Sequence, residues 1–125
     1  MQKKRVYVSF DFDNDKELKD LLIGQSRLTD SPFEVCDWSL KEEQPMRFWQ
    51  QTAEQRISRC DVVIVMVGSR TYTAPGVLKE VAIARRLGKP IYQIIGYKDG
   101  KYSRVPDAGP LYSWTWDKLK ELLGG

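Results

Sequence analysis

The sequence contains no histidine among its 125 residues. This absence excludes Ser-His-Asp and Cys-His nucleophilic triads, histidine-ligated zinc sites and acid–base catalysis by imidazole. Any catalysis must therefore depend on carboxylates, hydroxyls, lysine or arginine. We accordingly expect neither a bound metal nor a cofactor.

Cysteine and long apolar segments are also scarce. Cys36 and Cys60 are the two cysteines, and they lie outside any Cys-x-x-Cys spacing. No signal peptide is recognisable, so we expect reduced thiols in a cytoplasmic protein. No apolar stretch approaches the roughly 18 residues that span a bilayer, and we expect no association with membranes.

The chain has little excess charge, with 20 basic and 17 acidic residues and a net charge of +3. This excess is too small to indicate a nucleic-acid-binding protein. The glycine-rich patterns that hold phosphates, Gly-x-x-x-x-Gly-Lys and Gly-x-Gly-x-x-Gly, are missing as well. Hydrophobic residues make up 42% and charged residues 30%, which is ordinary globular usage. We expect residues 1–125 to form a single domain.

Strand-like and helix-like segments alternate along the chain. Apolar, β-branched segments predict strands at residues 5–10, 33–37, 61–67, 90–95 and 111–116. The third is an unbroken apolar run after Asp61, which is typical of a strand covered on both faces. Alternation with helices favours parallel pairing through right-handed crossovers. The sequence therefore predicts a flavodoxin-like α/β fold, a three-layer doubly wound parallel sheet of about five strands in the order 2-1-3-4-5.

The intervening segments have helical spacing of apolar residues. The first predicted helix starts at Asp15, and its buried face is expected to contain Leu18, Leu21, Leu22 and Leu28. A later helix begins at Pro75, which is favoured at a first helical position.

In doubly wound sheets, ligands bind beyond the carboxyl ends of the strands, where the strand order reverses. Here that point lies between the first and third strands. We expect a substrate site made by the residues that leave the strands: Ser9, Phe10, Asp11, Asp37, Trp38, Ser39, Ser69 and Arg70. Turn formation and helix capping also explain Ser9 and Asp11, a solvated loop also explains residues 37–39, and a surface role explains Arg70 equally well.

Three segments together resemble the Toll/interleukin-1-receptor (TIR)-like domains of bacterial antiphage defence, the family that includes the ThsB component of Thoeris systems. The first is residues 6–10 with the acidic turn after them, and the second is the apolar strand that ends in Val67-Gly68-Ser69. The third is residues 78–91, where a helix with a glutamate leads to Gly-Lys-Pro and the next strand.

The resemblance implies an enzyme that takes NAD+ as its substrate. Related domains cleave the nicotinamide–ribose bond, and the ADP-ribose-type product, cyclic in some members, activates a downstream effector. Self-assembly with other TIR-like domains is also implied. The family's catalytic glutamate corresponds to Glu80, and a carboxylate near the ribose suits an oxocarbenium-like transition state. Its position alone favours a different interpretation, in which Glu80 is a surface carboxylate stabilised by the positive end of its helix.

A second class of function stays open. Many active TIR enzymes have a tryptophan four residues before the catalytic glutamate, where this chain has Gly76. This difference favours a non-catalytic TIR-like module that assembles with like domains or binds a nucleotide without cleaving it. A response-regulator receiver is excluded, because its phosphorylatable aspartate is missing where the third strand ends in Val67-Gly68-Ser69.

Overall fold

Strands and helices alternate along the chain as the sequence predicts. The computed structural model describes residues 3–12, 14–38, 46–97 and 100–124, with the backbone alone for residues 46–48. The elements are β1 (Lys4–Ser9), α1 (Lys16–Ser26), β2 (Phe33–Trp38), α2 (Met46–Ser58), β3 (Val62–Val67), a 3-10 helix (Thr71–Thr73), α3 (Pro75–Arg86), β4 (Ile91–Ile95), β5 (Leu111–Ser113) and α4 (Trp116–Leu123).

These strands form one sheet of five strands in the order β2-β1-β3-β4-β5, and every neighbouring pair is parallel. The flavodoxin-like fold and the strand order are therefore confirmed. All six residues of β3 are buried, as expected of an apolar strand at the centre of a parallel sheet. The order reverses between β1 and β3, and their carboxyl ends meet at one edge.

The two faces of the sheet are covered by different helices. The α2/α3 core contains, among others, Tyr7, Val63, Val65 and Trp49. The α1/α4 core contains, among others, Val6, Val8, Phe10, Ile64 and Met66. Successive residues of a strand point to opposite faces, so β1 and β3 supply both cores alternately. Full burial of each large aliphatic side chain contributes about 1.5–3 kcal/mol, so the buried residues of this central pair of strands contribute strongly to stability.

The face that α1 buries differs from the prediction. Leu18 and Leu22 are buried, but Leu21 is 58% exposed and Leu28 is 48% exposed. The buried stripe turns instead towards Lys19 and Ser26, and α1 ends at Ser26, before Leu28. The prediction was therefore wrong for Leu21 and Leu28.

Among the described residues, no helix has both the length and the apolar character needed to cross a membrane.

Strand β5 is shorter than predicted because a helix cap follows it directly. It ends at Ser113, and Thr115 caps α4 by accepting a hydrogen bond from the Lys118 backbone N–H at 3.1 Å. Trp114 packs against the α1/α4 core, and its Nε1 donates to Gln25 Oε1 at 2.7 Å. Trp116 belongs to α4, so the prediction of a strand up to residue 116 was wrong at its end.

Candidate active site

Glu80 lies on α3, and two hydroxyls from β1 hold its carboxylate. Ser9 Oγ donates to Glu80 Oε1 at 2.8 Å, and the Tyr7 hydroxyl donates to Oε2. The three side chains are 0% exposed. An unpaired buried carboxylate is strongly destabilising, and hydrogen bonds to the charged group reduce that cost. The interpretation of Glu80 as a surface carboxylate is therefore wrong.

Local sequence explains this meeting of α3 and β1. Pro75 is the first residue of α3, and the buried stripe Val77, Val81 and Ala84 turns the helix so that Glu80 also faces the sheet. Tyr7 and Ser9 are two residues apart on β1, so their side chains point to the same face. Both hydroxyls therefore reach the same carboxylate.

The environment keeps Tyr7 protonated. Burial raises the pKa of its phenol well above the ordinary value, and the charge of Glu80 and the hydrogen bond to it raise it further. The negative charge of Asp37 acts in the same direction, whereas the positive charge of Arg56 lowers the pKa. Tyr7 is thus a permanent hydrogen-bond donor to Glu80 at neutral pH.

A β-bulge brings Asp37 to this face of the sheet. Val6 pairs with Val35, but the next residue, Tyr7, pairs with Asp37, so Cys36 is the extra residue. Asp37 therefore shares the face of Tyr7 and forms an ion pair with Arg56 of α2 at 3.0 Å. Bulges often occur beside active sites, where they redirect a side chain.

The family profile for the TIR-like domain of the Thoeris protein ThsB matches residues 7–99. The match includes Tyr7, Ser9, Asp37 and Glu80. The chain belongs to the Thoeris ThsB TIR-like family. Among solved structures it is similar to the CMP N-glycosidase BcmB of Clostridium botulinum, with a TM-score of 0.57 and 20% identity over 95% of this chain and 98% of that chain. This likeness supports the fold. None of the curated protein sequences matches the chain.

Two predicted site residues of this TIR-like domain lie on the other face of the sheet from Glu80. Phe10 is 2% exposed in the α1/α4 core, and its ring stacks on Phe12 with 5.6 Å between centroids. Trp38 pairs with Val8 beyond the bulge, and Lys19 Nζ of α1 lies 4.8 Å from its ring centroid. The alternation of side chains along β1 and the bulge in β2 both separate these rings from Glu80.

The remaining predicted residues follow the strand ends. Asp11 is nearly buried and accepts a hydrogen bond from Asn14 Nδ2 at 2.7 Å, which stabilises the turn before α1. Ser69 and Arg70 are exposed just after β3, at the same edge of the sheet as Ser9. Ser39 lies outside the described residues. The structure thus joins Ser9 to Glu80, brings Asp37 to the same face, and leaves the substrate-binding roles as predictions.

Sequence reasoning missed Tyr7 and Asp15. Tyr7 stands within an apolar strand and was not distinguished from core; its position two residues before Ser9 was the available signal. Asp15 was interpreted as a helix start, but it is 3% exposed and accepts from Thr71 Oγ1 at 3.3 Å. Thr71 Oγ1 in turn accepts from the Gly68 N–H at 2.7 Å, so Asp15 links the loops that leave β1 and β3.

One buried donor in the α2/α3 core has no hydrogen-bond partner within the described structure, the Nε1 of Trp49. The indole is 2% exposed, and Lys79 Nζ lies 5.6 Å from its ring centroid. Buried polar groups are nearly always paired, so an unpaired one calls for an explanation. In the same described residues, no group of three or more cysteines and carboxylates is arranged to hold a metal ion.

Proposed function

We propose that this domain cleaves the nicotinamide–ribose bond of NAD+ and releases nicotinamide, with a linear or cyclic ADP-ribose-type nucleotide as the antiphage signal. The observation that carries the proposal is the buried Glu80 carboxylate, held by Tyr7 and Ser9 beside the point where strand order reverses. Membership of the ThsB TIR-like family supports it. A similar fold serves a protein described as a CMP N-glycosidase, which breaks the same class of bond.

The chemistry needs only what this site offers. As the C1′–N bond breaks, its electron pair neutralises the pyridinium nitrogen, so nicotinamide leaves without an added proton. Positive charge develops on the ribose, and the Glu80 carboxylate stabilises it in surroundings of low dielectric constant. Water or a hydroxyl of the nucleotide then adds at C1′ and loses a proton.

Tyr7 and Ser9 act on this reaction through Glu80. Their hydrogen bonds fix the two carboxylate oxygens in one orientation, so little reorganisation is needed in the transition state. Asp37 and Arg56 form a nearly neutral pair beside Tyr7.

Glu80 has no exposed surface, so NAD+ contacts it only after neighbouring side chains move. Assembly with other TIR-like domains, or a phage trigger, is the proposed cause of this movement. The product then acts on a downstream effector. Because Glu80 must first be exposed, the activity assay has to include conditions that allow assembly or supply a phage trigger.

The test is to incubate the purified domain with NAD+, with and without extract of phage-infected cells, and to separate nicotinamide and ADP-ribose isomers by chromatography. Glu80→Gln should lower turnover on the order of 10² to 10³-fold, because it removes one electrostatic contact to the transition state. Glu34→Gln, at an exposed glutamate on β2, is the matched control and should retain full turnover. Equal rates for the parent and Glu80→Gln would show that Glu80 is not catalytic.

The second candidate is a non-catalytic module that binds a nucleotide or assembles with its effector. Gly76 and the complete burial of Glu80 favour it. In that case the Tyr7–Glu80–Ser9 contacts only tie α3 to β1. A non-catalytic module predicts either saturable binding of NAD+, measured by calorimetry, or assembly, measured by light scattering. It also predicts that no nicotinamide is released under any activation condition.

A further inference from the structure

A cavity lies at the same edge of the sheet as Glu80, between the carboxyl ends of β4 and β5. Its volume is about 470 Å³, and its lining residues are Ile95, Gly96, Tyr102, Ser113, Trp114 and Thr115. Pockets for small ligands have volumes of about 300–1,000 Å³. None of these residues belongs to the site around Glu80.

Two aromatic rings line this cavity, and one of them is fixed in place. The Trp114 indole packs against the α1/α4 core and donates to Gln25 Oε1 at 2.7 Å. Tyr102, in the loop between β4 and β5, is 42% exposed. A rigid ring and an exposed ring around one cavity are suited to stacking a flat heterocycle, because every nucleobase presents a π-face.

Polar groups around the rings match the rest of a nucleotide. Lys101 and Arg104 are exposed on either side of Tyr102 in the chain, and neither forms an ion pair with another described residue. The Ser113 and Thr115 hydroxyls also line the cavity. Thr115 Oγ1 accepts from the Lys118 N–H, which leaves its own proton for a ligand. Aromatic faces, hydroxyls and cations together recognise a base, a ribose and a phosphate.

The cavity and the site around Glu80 are close enough for one dinucleotide to occupy both. Ser9 is level with Val65 on β3, which is level with Gln93 on β4, and the cavity begins two residues further along at Ile95. With a strand spacing of about 4.8 Å and a rise of about 3.3 Å, the backbone that lines the cavity lies roughly 12–16 Å from Ser9 in the plane of the sheet. We propose that this cavity binds the adenosine half of NAD+ while the nicotinamide riboside half lies at Glu80, an inference that rests on the proposed function.

The test measures binding and turnover separately. Calorimetry with AMP and ADP-ribose, on the full chain with Glu80→Gln, reports binding without cleavage. Tyr102→Ala should weaken both ligands by about 10-fold, the loss expected when one base loses its stacking partner. Tyr102→Phe keeps the ring and should bind as the parent does. In the active chain, Tyr102→Ala should raise KM for NAD+ with little change in kcat, and should leave turnover of nicotinamide mononucleotide unchanged.

The outcomes separate this inference from the proposed function. AMP binding that depends on Tyr102, in a protein that never cleaves NAD+, supports the adenosine site and contradicts the cleavage. Cleavage with the same KM in the parent and Tyr102→Ala, together with unchanged ADP-ribose affinity, overturns the adenosine site alone. AMP that binds at Tyr102 without competing with NAD+ also overturns it, since the cavity then holds a separate nucleotide. Melting curves verify that the exposed Tyr102 can be replaced without unfolding the domain.

Discussion

The Tyr7 hydroxyl, in the middle of β1, donates a hydrogen bond to Oε2 of Glu80 on α3. Both side chains are completely buried, and they lie 73 positions apart in the sequence. This contact, with the one from Ser9, decides the orientation of the carboxylate on which the proposed reaction depends. It therefore couples the stability of the domain to its proposed catalytic chemistry.

Replacing Tyr7 with Phe should affect both properties. The variant keeps the ring but leaves Glu80 without one donor in a buried site, which should cost about 1–3 kcal/mol of unfolding free energy. Turnover of NAD+ should fall as well, because the carboxylate loses its fixed orientation. Urea denaturation and the nicotinamide assay measure the two effects. A Tyr7→Phe variant as stable and as active as the parent would show that Tyr7 has no role in holding Glu80.

Glu80→Gln should fold, but with a measurable loss of stability. A position near an exposed helix start predicts a change of only about 0.3–1 kcal/mol. Because Glu80 is buried between two donors, the amide must face one of them with its own N–H groups, and we expect a loss of about 1–3 kcal/mol. Thermal and urea unfolding test this expectation. An increase in stability would indicate that the buried charge is itself unfavourable.

Gly68→Ala should destabilise the domain. A Cβ at Gly68 would collide with the Asp15 carboxylate, which would then have to move away from Thr71. Overpacking of this kind typically costs about 1–3 kcal/mol. Gly24→Ala is the matched control, since nothing lies within 4 Å of its added Cβ. It should stabilise α1 by about 0.5–1 kcal/mol. Equal melting temperatures for the two variants would contradict this account.

Asp15 should make stability depend on pH in the acid range. Burial, and then the charge of Asp11, raise the pKa of its carboxyl above the ordinary 3.8. A pKa that is higher in the folded state means that the folded state binds the proton more tightly than the unfolded one. The resulting stabilisation is complete below pH 3.8 and is lost as pH rises through the raised pKa.

Asp15→Asn tests this dependence, because it removes the titrating group and keeps the shape. The unfolding free energy of the parent minus that of the variant should decrease as pH rises from below 3.8 through the raised pKa, and then become constant. Urea titrations between pH 3.5 and 7 provide the measurement. A difference that increases with pH would mean that Asp15 is stabilised as the carboxylate.

The sequence was sufficient to predict the order of strands in the sheet, but it predicted only part of the candidate site. The alternation of elements and the apolar run of β3 predicted the strand order, and the family resemblance made Glu80 the candidate catalytic residue. Tyr7 was not distinguished from core, because an aromatic residue inside an apolar strand predicts packing equally well. The exposure of Leu21 depended on which way α1 turns over the sheet, a tertiary property. The end of β5 depended on Thr115, whose cap begins α4.

The extra residue Cys36 has a consequence for comparing relatives. Deleting it would leave Asp37 level with Tyr7 and Trp38 level with Val8, each on its present face, because Cys36 is the residue without a pairing position of its own. A relative with a regular second strand that is one residue shorter would therefore carry the acidic and aromatic residues in the same order. Alignments of such relatives should place a one-residue gap at Cys36, and an ungapped comparison would match the residues after the bulge with positions on the opposite face.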